Sequence, residues 1–301
     1  MADWDDLRVF LAVARSESLS GAGRALKLDA ATVGRRIARL EAALGVQLFV
    51  KSPQGYALAD AGARLLPHAE HAEQALAGAT EELSGAAGKF SGQLRIGAPD
   101  GCANYLLPQV CAALCDAHPG LEIQIVALPR VFNLSKREAD MAIAVSPPAA
   151  GRLTVQKLTD YRLHLAAARD YLSHNAPITR RADLPGHRMI GYIPDMIFDK
   201  ELDYLGVTGA ETVALASNSV PVQLMALRAG AGIGIVHDFA LPFAPELTRI
   251  LTDEISLTRA FWLIRHADDQ RSERLARLSE ALGQGIRREV ARLEKLVEDH
   301  T

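Results

Sequence analysis

The sequence predicts a two-part chain, α+β at its start and α/β after it. It reads as three short helices closed by a hairpin, then one long helix, then a C-terminal domain of two α/β lobes. Three observations predict this. Apolar residues recur at helical spacing through the first 44 residues and are followed by two extended pieces around a Pro-Gln-Gly turn. A Leu/Ala heptad with little charge runs from about Ala61 to Ala87. Beyond residue 92, strands and helices alternate, the pattern of layered α/β domains.

The first helix is predicted over Asp5–Arg15, with Leu7, Phe10, Leu11 and Ala14 on one face. Ser18 or Ser20 caps a second, about Gly21–Leu26, since a side-chain oxygen there can accept from first-turn amides. A third follows Asp29, which can cap it, and ends at Leu44, with Gly45 in the C′ position. Val33, Ile37, Leu40 and Leu44 form its buried stripe. At ~100° per residue, Ala31, Arg35, Ala38 and Arg39 project from the opposite side, with Thr32 and Arg36 on the flank. Small residues beside arginines let a helix approach a groove closely, and a guanidinium fork matches guanine edges and phosphates. A merely solvated surface is the other reading; the two short helices and tight turn before it favour DNA. Leu48–Leu58 then reads as a hairpin wing, with Lys51 placed to touch phosphate.

The run SLSGAGRALKLDAATVGRRIARLEAALGVQLFVKSPQGYALADAG (Ser18–Gly62) resembles the LysR-type transcriptional regulators. The likeness rests on Ala22, Ala25, Leu26, Val33, Arg35 and Ile37, then on Leu40-Glu41, Leu44-Gly45, Leu48-Phe49, Leu58 and Ala61-Gly62. It implies a winged helix-turn-helix over residues 1–60, with Ser20, Ala31, Thr32, Arg35, Arg36, Arg39 and Lys51 at double-stranded DNA. Three positions depart from the family pattern. Gly34 stands for a usual Ser and weakens the helix by up to ~1 kcal/mol. Lys51 stands for a usual Arg, which removes bidentate geometry but keeps a charge for phosphate. Ala59 stands for a capping Thr, and Asp60 can take over the cap. These departures bear on operator preference.

Leu65, Ala69, Ala72, Leu76, Ala79 and Leu83 are spaced alternately four and three apart, a heptad seam. A helix packed on its own domain is the alternative. Few charges flank the seam, so some partner must cover it, and a two-fold dimer is the simplest closed solution. Pro67 falls in the first turns, where a kink is tolerated. Two recognition helices related by a two-fold axis call for a pseudo-palindromic operator. The resemblance implies the same and adds pairing of dimers, hence a homodimer or homotetramer. Residues 61–92 are thus a dimerisation helix and hinge, ending in the linker Ala86–Gly92.

Strands are predicted at Leu94–Ala98, Glu122–Ala127, Met141–Val145 and Leu163–Ala168, then at Met189–Tyr192, Val213–Ala216, Ile233–Val236 and Phe261–Arg265. A helix is predicted over Ala103–His118. The resemblance extends through LRIGAPDG, HPGLEIQIV, READMAIAV and ALRAGAGIGIV, and implies an effector domain similar in fold to periplasmic solute-binding proteins. On that pattern residues 93–301 form lobe I (93–160 plus 265–301) and lobe II (162–262). The chain then crosses near Tyr161–Leu163 and returns near Trp262–Arg265.

An effector is expected in the crevice between lobes, at strand ends. Candidate contacts are Asp100, Gly101 and Cys102, then Arg130, Val131 and Phe132, then Ser217, Asn218 and His237. Arg130 can grip a carboxylate or pair with Asp100; Asp100 capping its own helix would repel one. Gly230, Gly232 and Gly234 follow a helix and precede a strand, the reverse of a dinucleotide loop, so a turn needing positive φ is expected. Gly283 and Gly285 punctuate a helical stretch, Arg271–Val297. The part beyond Gly285 reads as an oligomer contact or a solvated extension.

The composition is that of a globular chain, with 49% apolar and 23% charged residues and a net charge of −3. Residues 1–66 carry nine Lys and Arg against seven Asp and Glu, while residues 67–88 carry none against four. Local arginine placement therefore decides the nucleic-acid question, not the total. No apolar run reaches the ~20 residues of a membrane span, and the acidic start is unlike a signal peptide, so a cytoplasmic location without membrane contact is expected. Cys102, Cys111 and Cys115 make no disulfide framework and read as small buried hydrophobes. No hydrolase elbow, phosphate loop or zinc-protease motif is present, and His164, His187 and His237 fall in separate segments. No catalytic residue, metal or cofactor is expected. The reading is a sequence-specific transcriptional regulator whose partners are DNA, a small-molecule effector, a second copy and, for an activator, RNA polymerase. The alternative is a solute-binding or enzyme-like two-lobed α/β protein without a DNA role.

Overall fold

Asp3, Ser18 and Asp29 each set a side-chain oxygen on a first-turn amide, and these caps fix the starts of α1 (Trp4–Ser16), α2 (Leu19–Leu26) and α3 (Ala30–Leu44). The computed structural model describes residues 3–52, 55–83, 90–127, 139–148, 152–267 and 272–299. They fall into two compact units, Met1–Gly88 and Lys89–Thr301. Ser18, not Ser20, is the cap of α2. In α3, Val33, Ile37 and Leu40 are buried as the periodicity requires, but Leu44 is 39% exposed, because the last turn runs past the core. Gly45 ends the helix in the left-handed conformation, with φ 68°.

The wing is an antiparallel pair, β1 (Phe49–Ser52) and β2 (Gly55–Leu58). Glu41 holds it to α3: its carboxylate accepts from the Leu48 amide at 2.7 Å and the Phe49 amide at 3.2 Å. The amide of Tyr56 donates to the Glu17 carbonyl at 2.9 Å, tying the wing to the turn after α1. The helix α4 (Asp60–Leu83) starts with Asp60 as its first residue, while the carbonyl of Ala59 accepts the Ala63 amide. A Cβ on Gly62 would lie 2.1 Å from the Leu48 carbonyl oxygen, so only glycine lets α4 pass β1 this closely. Phe10, Leu11, Val33, Leu48 and Ala69 share one core.

The second unit is built on a mixed sheet. Its strands are β3 (Ser91–Ala98), β4 (Gly120–Ala127), β5 (Met141–Ala144), β6 (Leu153–Ala168) and β7 (Met189–Gly191), then β8 (Leu215–Ala216), β9 (Ile233–His237), β10 (Leu247–Arg249) and β11 (Ser256–His266). Their order is β4-β3-β5-β11-β6-β9-β7-β8, with β10 also on β6. The two lobes are therefore the two halves of one sheet, joined by the long antiparallel pair β6 and β11. Pairing along β6–β11 shifts register between Phe261 and Trp262, leaving Leu158 as the extra residue of a bulge. Around the sheet lie α5 (Asp100–Tyr105), α6 (Leu107–Ala117), α7 (Arg169–His174), α8 (Leu205–Thr208), α9 (Val220–Arg228) and α10 (Glu273–Glu298).

Several expectations are corrected here. The helix predicted over Ala103–His118 is two helices broken at Leu106, since the Pro108 ring excludes a continuous hydrogen-bond ladder. Of the three clustered glycines only Gly230 has positive φ, at 71°. Added Cβ atoms on Gly232 and Gly234 would meet the carbonyls of Arg188 at 2.2 Å and Ile190 at 2.7 Å, so these two let β9 lie close to β7. Gly283 and Gly285 do not interrupt α10, which is one 26-residue helix. A Cβ on Gly285 would stand 2.5 Å from Val110. Beyond it, Ile286, Val290 and Leu293 are buried in the core, so this part is neither solvated nor free for an oligomer contact along that stripe. Cys102 and Cys111 are buried, and desolvation raises both thiols, that of Cys111 to about 12.

Candidate nucleic-acid interface and interlobe cleft

At the start of α3, Asp29 accepts from the Thr32 amide at 2.8 Å and from the Thr32 hydroxyl at 2.6 Å. These bonds, the hydroxyl first, hold its carboxyl below the usual carboxylate range. The Thr32 hydroxyl oxygen accepts in turn from Arg35 at 2.7 Å. Ala31 and Arg35 are exposed and Thr32 is half-buried, so this chain of bonds presents one guanidinium at the outer surface of the helix. Ser20 is exposed in the first turn of α2, and Lys51 is exposed on β1.

The other two predicted arginines are engaged elsewhere. Arg39 places two nitrogens on the Asp6 carboxylate at 2.5 and 2.6 Å, and Asp3 stands 3.8 Å away. The Asp6 side chain is only 3% exposed, so Arg39 neutralises a buried acid of α1. Arg36 lies 3.5 Å from Asp5 on the same helix. Sequence spacing placed Arg35 and Arg39 on one face; the acids of α1 separate them.

The seam of α4 also divides. Ala69 is buried and Leu65 half-buried against the core of the N-terminal unit, while Ala72 is half-buried and Leu76 is 50% exposed. Ala79 and Leu83 continue the same spacing toward the end of the helix.

In the second unit, Asp100, Gly101, Cys102, Asn218 and His237 line one cleft, and Ser217 borders it by accepting the Ser219 amide at 3.1 Å. Arg130, Val131 and Phe132 lie outside the described residues. Asp100 opens α5 but does not cap it. Its carboxylate accepts the Val220 amide at 2.8 Å and a bond from Ser219, capping α9 across the cleft. Burial pushes this carboxyl up, against those bonds.

Aromatic rings fill the floor. Tyr161 stacks on Phe261 with centroids 4.2 Å apart and on His237 at 5.5 Å. What remains open is a hollow of about 10 Å³, adjoined through Tyr192 and Leu202 by another of about 20 Å³ against Tyr204. Each has room for about one water. Desolvation holds the His237 imidazole near 4, although neighbouring Asp238 pulls it upward. Tyr161 Oη, Tyr204 Oη and His237 Nδ1 are buried without a hydrogen-bond partner. Sequence reading missed both tyrosines as site residues, since Tyr161 in the apolar β6 and Tyr204 just before α8 each signal only core.

Behind β9, Asp238 takes His164 at 2.8 Å and Arg249 at 3.1 Å in a buried triad. A larger hollow of about 440 Å³ opens beside the end of α10; there Arg169 donates to the Pro245 carbonyl at 2.6 Å. Among the described residues no three His, Cys, Asp or Glu side chains gather as a metal site, and no helix is long and apolar enough to cross a membrane.

Comparison with known proteins agrees with this geometry. Residues 4–63 match the family described as bacterial regulatory helix-turn-helix protein, lysR family, and residues 87–287 match the LysR substrate binding domain. The chain is 28% identical over 248 residues to the HTH-type transcriptional regulator PtxR of Pseudomonas aeruginosa, covering 81% of this chain and 78% of that one. It is 28% identical over 258 residues to a probable hydrogen peroxide-inducible genes activator of Mycobacterium avium, covering 81% and 80%. Among solved structures, a Corynebacterium glutamicum OxyR mutant matches with TM-score 0.65 and 20% identity over 98% of this chain and 96% of that one. CrgA of Neisseria meningitidis matches with TM-score 0.58 and 23% identity over 94% and 98%. The structural likenesses establish the shared fold.

Proposed function

Since the chain belongs to the LysR family of bacterial DNA-binding transcriptional regulators, we propose that it reads its operator chiefly through the first half of α3. Arg35 reaches the major groove, Ala31 and Thr32 give close approach, Ser20 and Lys51 hold phosphate, and Arg36 and Arg39 brace α3 on α1. The observation that carries this is the division of the arginines: Arg35 is outward on Thr32, while Arg39 is committed to buried Asp6. A bidentate contact to a base contributes about 1–3 kcal/mol of discrimination, whereas phosphate contacts contribute mainly salt-dependent affinity.

The second copy pairs through the distal part of α4, where Leu76 is exposed and Ala72, Ala79 and Leu83 continue the heptad. A dimer or a pair of dimers on a pseudo-palindrome follows from two-fold symmetry. The effector enters the cleft between Asp100 and α9, where it parts the contact that spans the two halves and changes how the DNA-binding units are presented. RNA polymerase is a partner if the outcome is activation. The protein acts in the cytoplasm and is a regulator, not an enzyme. No observation favours a solute-binding or enzyme-like role without DNA.

Fluorescence anisotropy with the DNA upstream of its own gene, across a salt series, tests this reading. Tight, sequence-preferring binding with a steep salt slope supports it. Failure on that DNA and on genomic and random fragments alike would sink it.

A further inference from the structure

The polar atoms that the cleft leaves unsatisfied carry information about what it takes. Tyr161 and Tyr204 are 1% and 8% exposed and His237 is 5% exposed, yet Tyr161 Oη, Tyr204 Oη and His237 Nδ1 meet no hydrogen-bond partner. Buried polar groups are almost always paired, and each exception calls for an explanation. Here the exceptions cluster: Tyr161 and His237 line one hollow, and Tyr204 lines the hollow that adjoins it. The walls between them are apolar or aromatic, from Phe198, Leu202, Val220 and Phe261.

Resting on the effector reading above, we propose that this cleft binds a small uncharged ring bearing hydroxyl groups, whose hydroxyls satisfy Tyr161, His237 and Tyr204, rather than a carboxylate. Among the described lining residues of the two hollows the charged side chains are Asp100 and Asp203, both acids, and Asp100 already holds the amide end of α9 that would otherwise receive an anion. Charged groups close by already have partners: Arg259 is 2.9 Å from Glu201, and the Asp199 carboxylate accepts from the Ser146 hydroxyl and the Glu201 amide. The site also resists charge of either sign. The imidazole of His237 is pushed down to about 4, while the Asp100 carboxyl and the phenols of Tyr161, Tyr192 and Tyr204 are all pushed up. Burial favours the neutral form in each case. A ring exceeds either hollow, so binding widens the cleft, and Asp100 on Val220 is the contact that gives way.

The test uses the full-length chain and three probes that share a ring and differ in charge: resorcinol, benzoate and benzylamine. Calorimetry is run on wild type and on Tyr161→Phe, which deletes only the orphaned oxygen. The expected result is binding of resorcinol at least about tenfold tighter than either charged ring. Tyr161→Phe should weaken it about fivefold, the loss of one hydrogen bond. Without any probe the same variant should melt about 2–4 °C higher, because an unsatisfied buried group is gone. A purely structural tyrosine bond would show the opposite shift. Preference for benzoate or benzylamine, no binding of any probe, or an unchanged affinity in the variant would each overturn the proposal. Operator binding is followed in the same samples. If it persists, only the ligand class has fallen; if wild type binds no DNA, the regulator reading falls instead.

Discussion

Lowering the pH should unlock the C-terminal unit through His237. The ring is buried between Tyr161 and Phe239, with centroids 5.5 and 4.9 Å away. It takes a proton only near pH 4 when folded, against 6.5 for a free imidazole. That gap of about 2.5 on the pH scale, at about 1.4 kcal/mol for each unit, is about 3 kcal/mol. Burial leaves no solvent to screen it. Between pH 6.5 and 4 the unfolded chain binds more protons than the folded one, so stability rises with pH in this window. The contribution of neutral His237 is complete above 6.5 and is lost as the pH falls toward 4. The chain has two tryptophans, Trp4 and Trp262. In a Trp4→Phe background, urea unfolding followed by Trp262 fluorescence reports on the C-terminal unit. The stability of this protein should fall by about 3 kcal/mol from pH 7 to 4 relative to the same protein carrying His237→Gln. Taking the difference removes other titrations, including Asp100, whose raised carboxyl acts in the opposite sense, and Asp183, held at about 2 by bonds to Thr179 and acting at lower pH. Parallel stability curves for the two proteins would refute the argument, since a ring that does not resist protonation is not desolvated.

Three further outcomes are expected. Gly285→Ala should destabilise by about 1–2 kcal/mol, because crowding stiff, buried Val110 outweighs the gain of up to about 1 kcal/mol in helix propensity, whereas Gly34→Ala, which meets only Leu19 at 3.4 Å, should stabilise; thermal unfolding reads both. Arg35→Ala should weaken operator binding without shifting the melting of the N-terminal unit, while Arg39→Ala should lower that melting by stranding the Asp6 carboxylate, as anisotropy and calorimetry together will show. Leu76→Glu should turn dimers into monomers in sedimentation velocity, since a buried charge in a heptad seam opposes pairing.

Elements defined by nearby residues were legible in the sequence. The caps at Ser18, Asp29 and Gly45, the stripe of Val33, Ile37 and Leu40, the wing and most strands lie where period and turn chemistry put them. What escaped depends on contacts across long stretches of chain. The contact of Arg39 with Asp6 was not visible, because the two lie 33 residues apart on different helices. Asp100 looked like the cap of its own helix, yet the helix it caps begins 120 residues later. The two glycines of α10 looked like breaks, since sequence shows a missing side chain but not the Leu158 and Val110 that fill the two places. Leu65 and Ala69 have ideal heptad spacing, and no local signal says that these two seam residues already face the core of the N-terminal unit. The unsatisfied tyrosines were invisible for the same reason: a missing bond is a property of surroundings.

The shared strands β6 and β11 constrain how the C-terminal unit can signal. Two bodies joined by loops can open like a book at little cost in backbone bonds. These halves cannot, because both connecting segments remain bonded to each other from Ser256 to His266. A change of angle between the halves is then torsion along a two-stranded ribbon, and torsion concentrates where an extra residue already raises the local twist. That residue is Leu158, buried beneath Gly283 of α10 at a distance where even one added carbon would stand 3.0 Å away. Ribbon and helix thus meet tooth to notch at that point, and a twist of the ribbon there presses directly on α10.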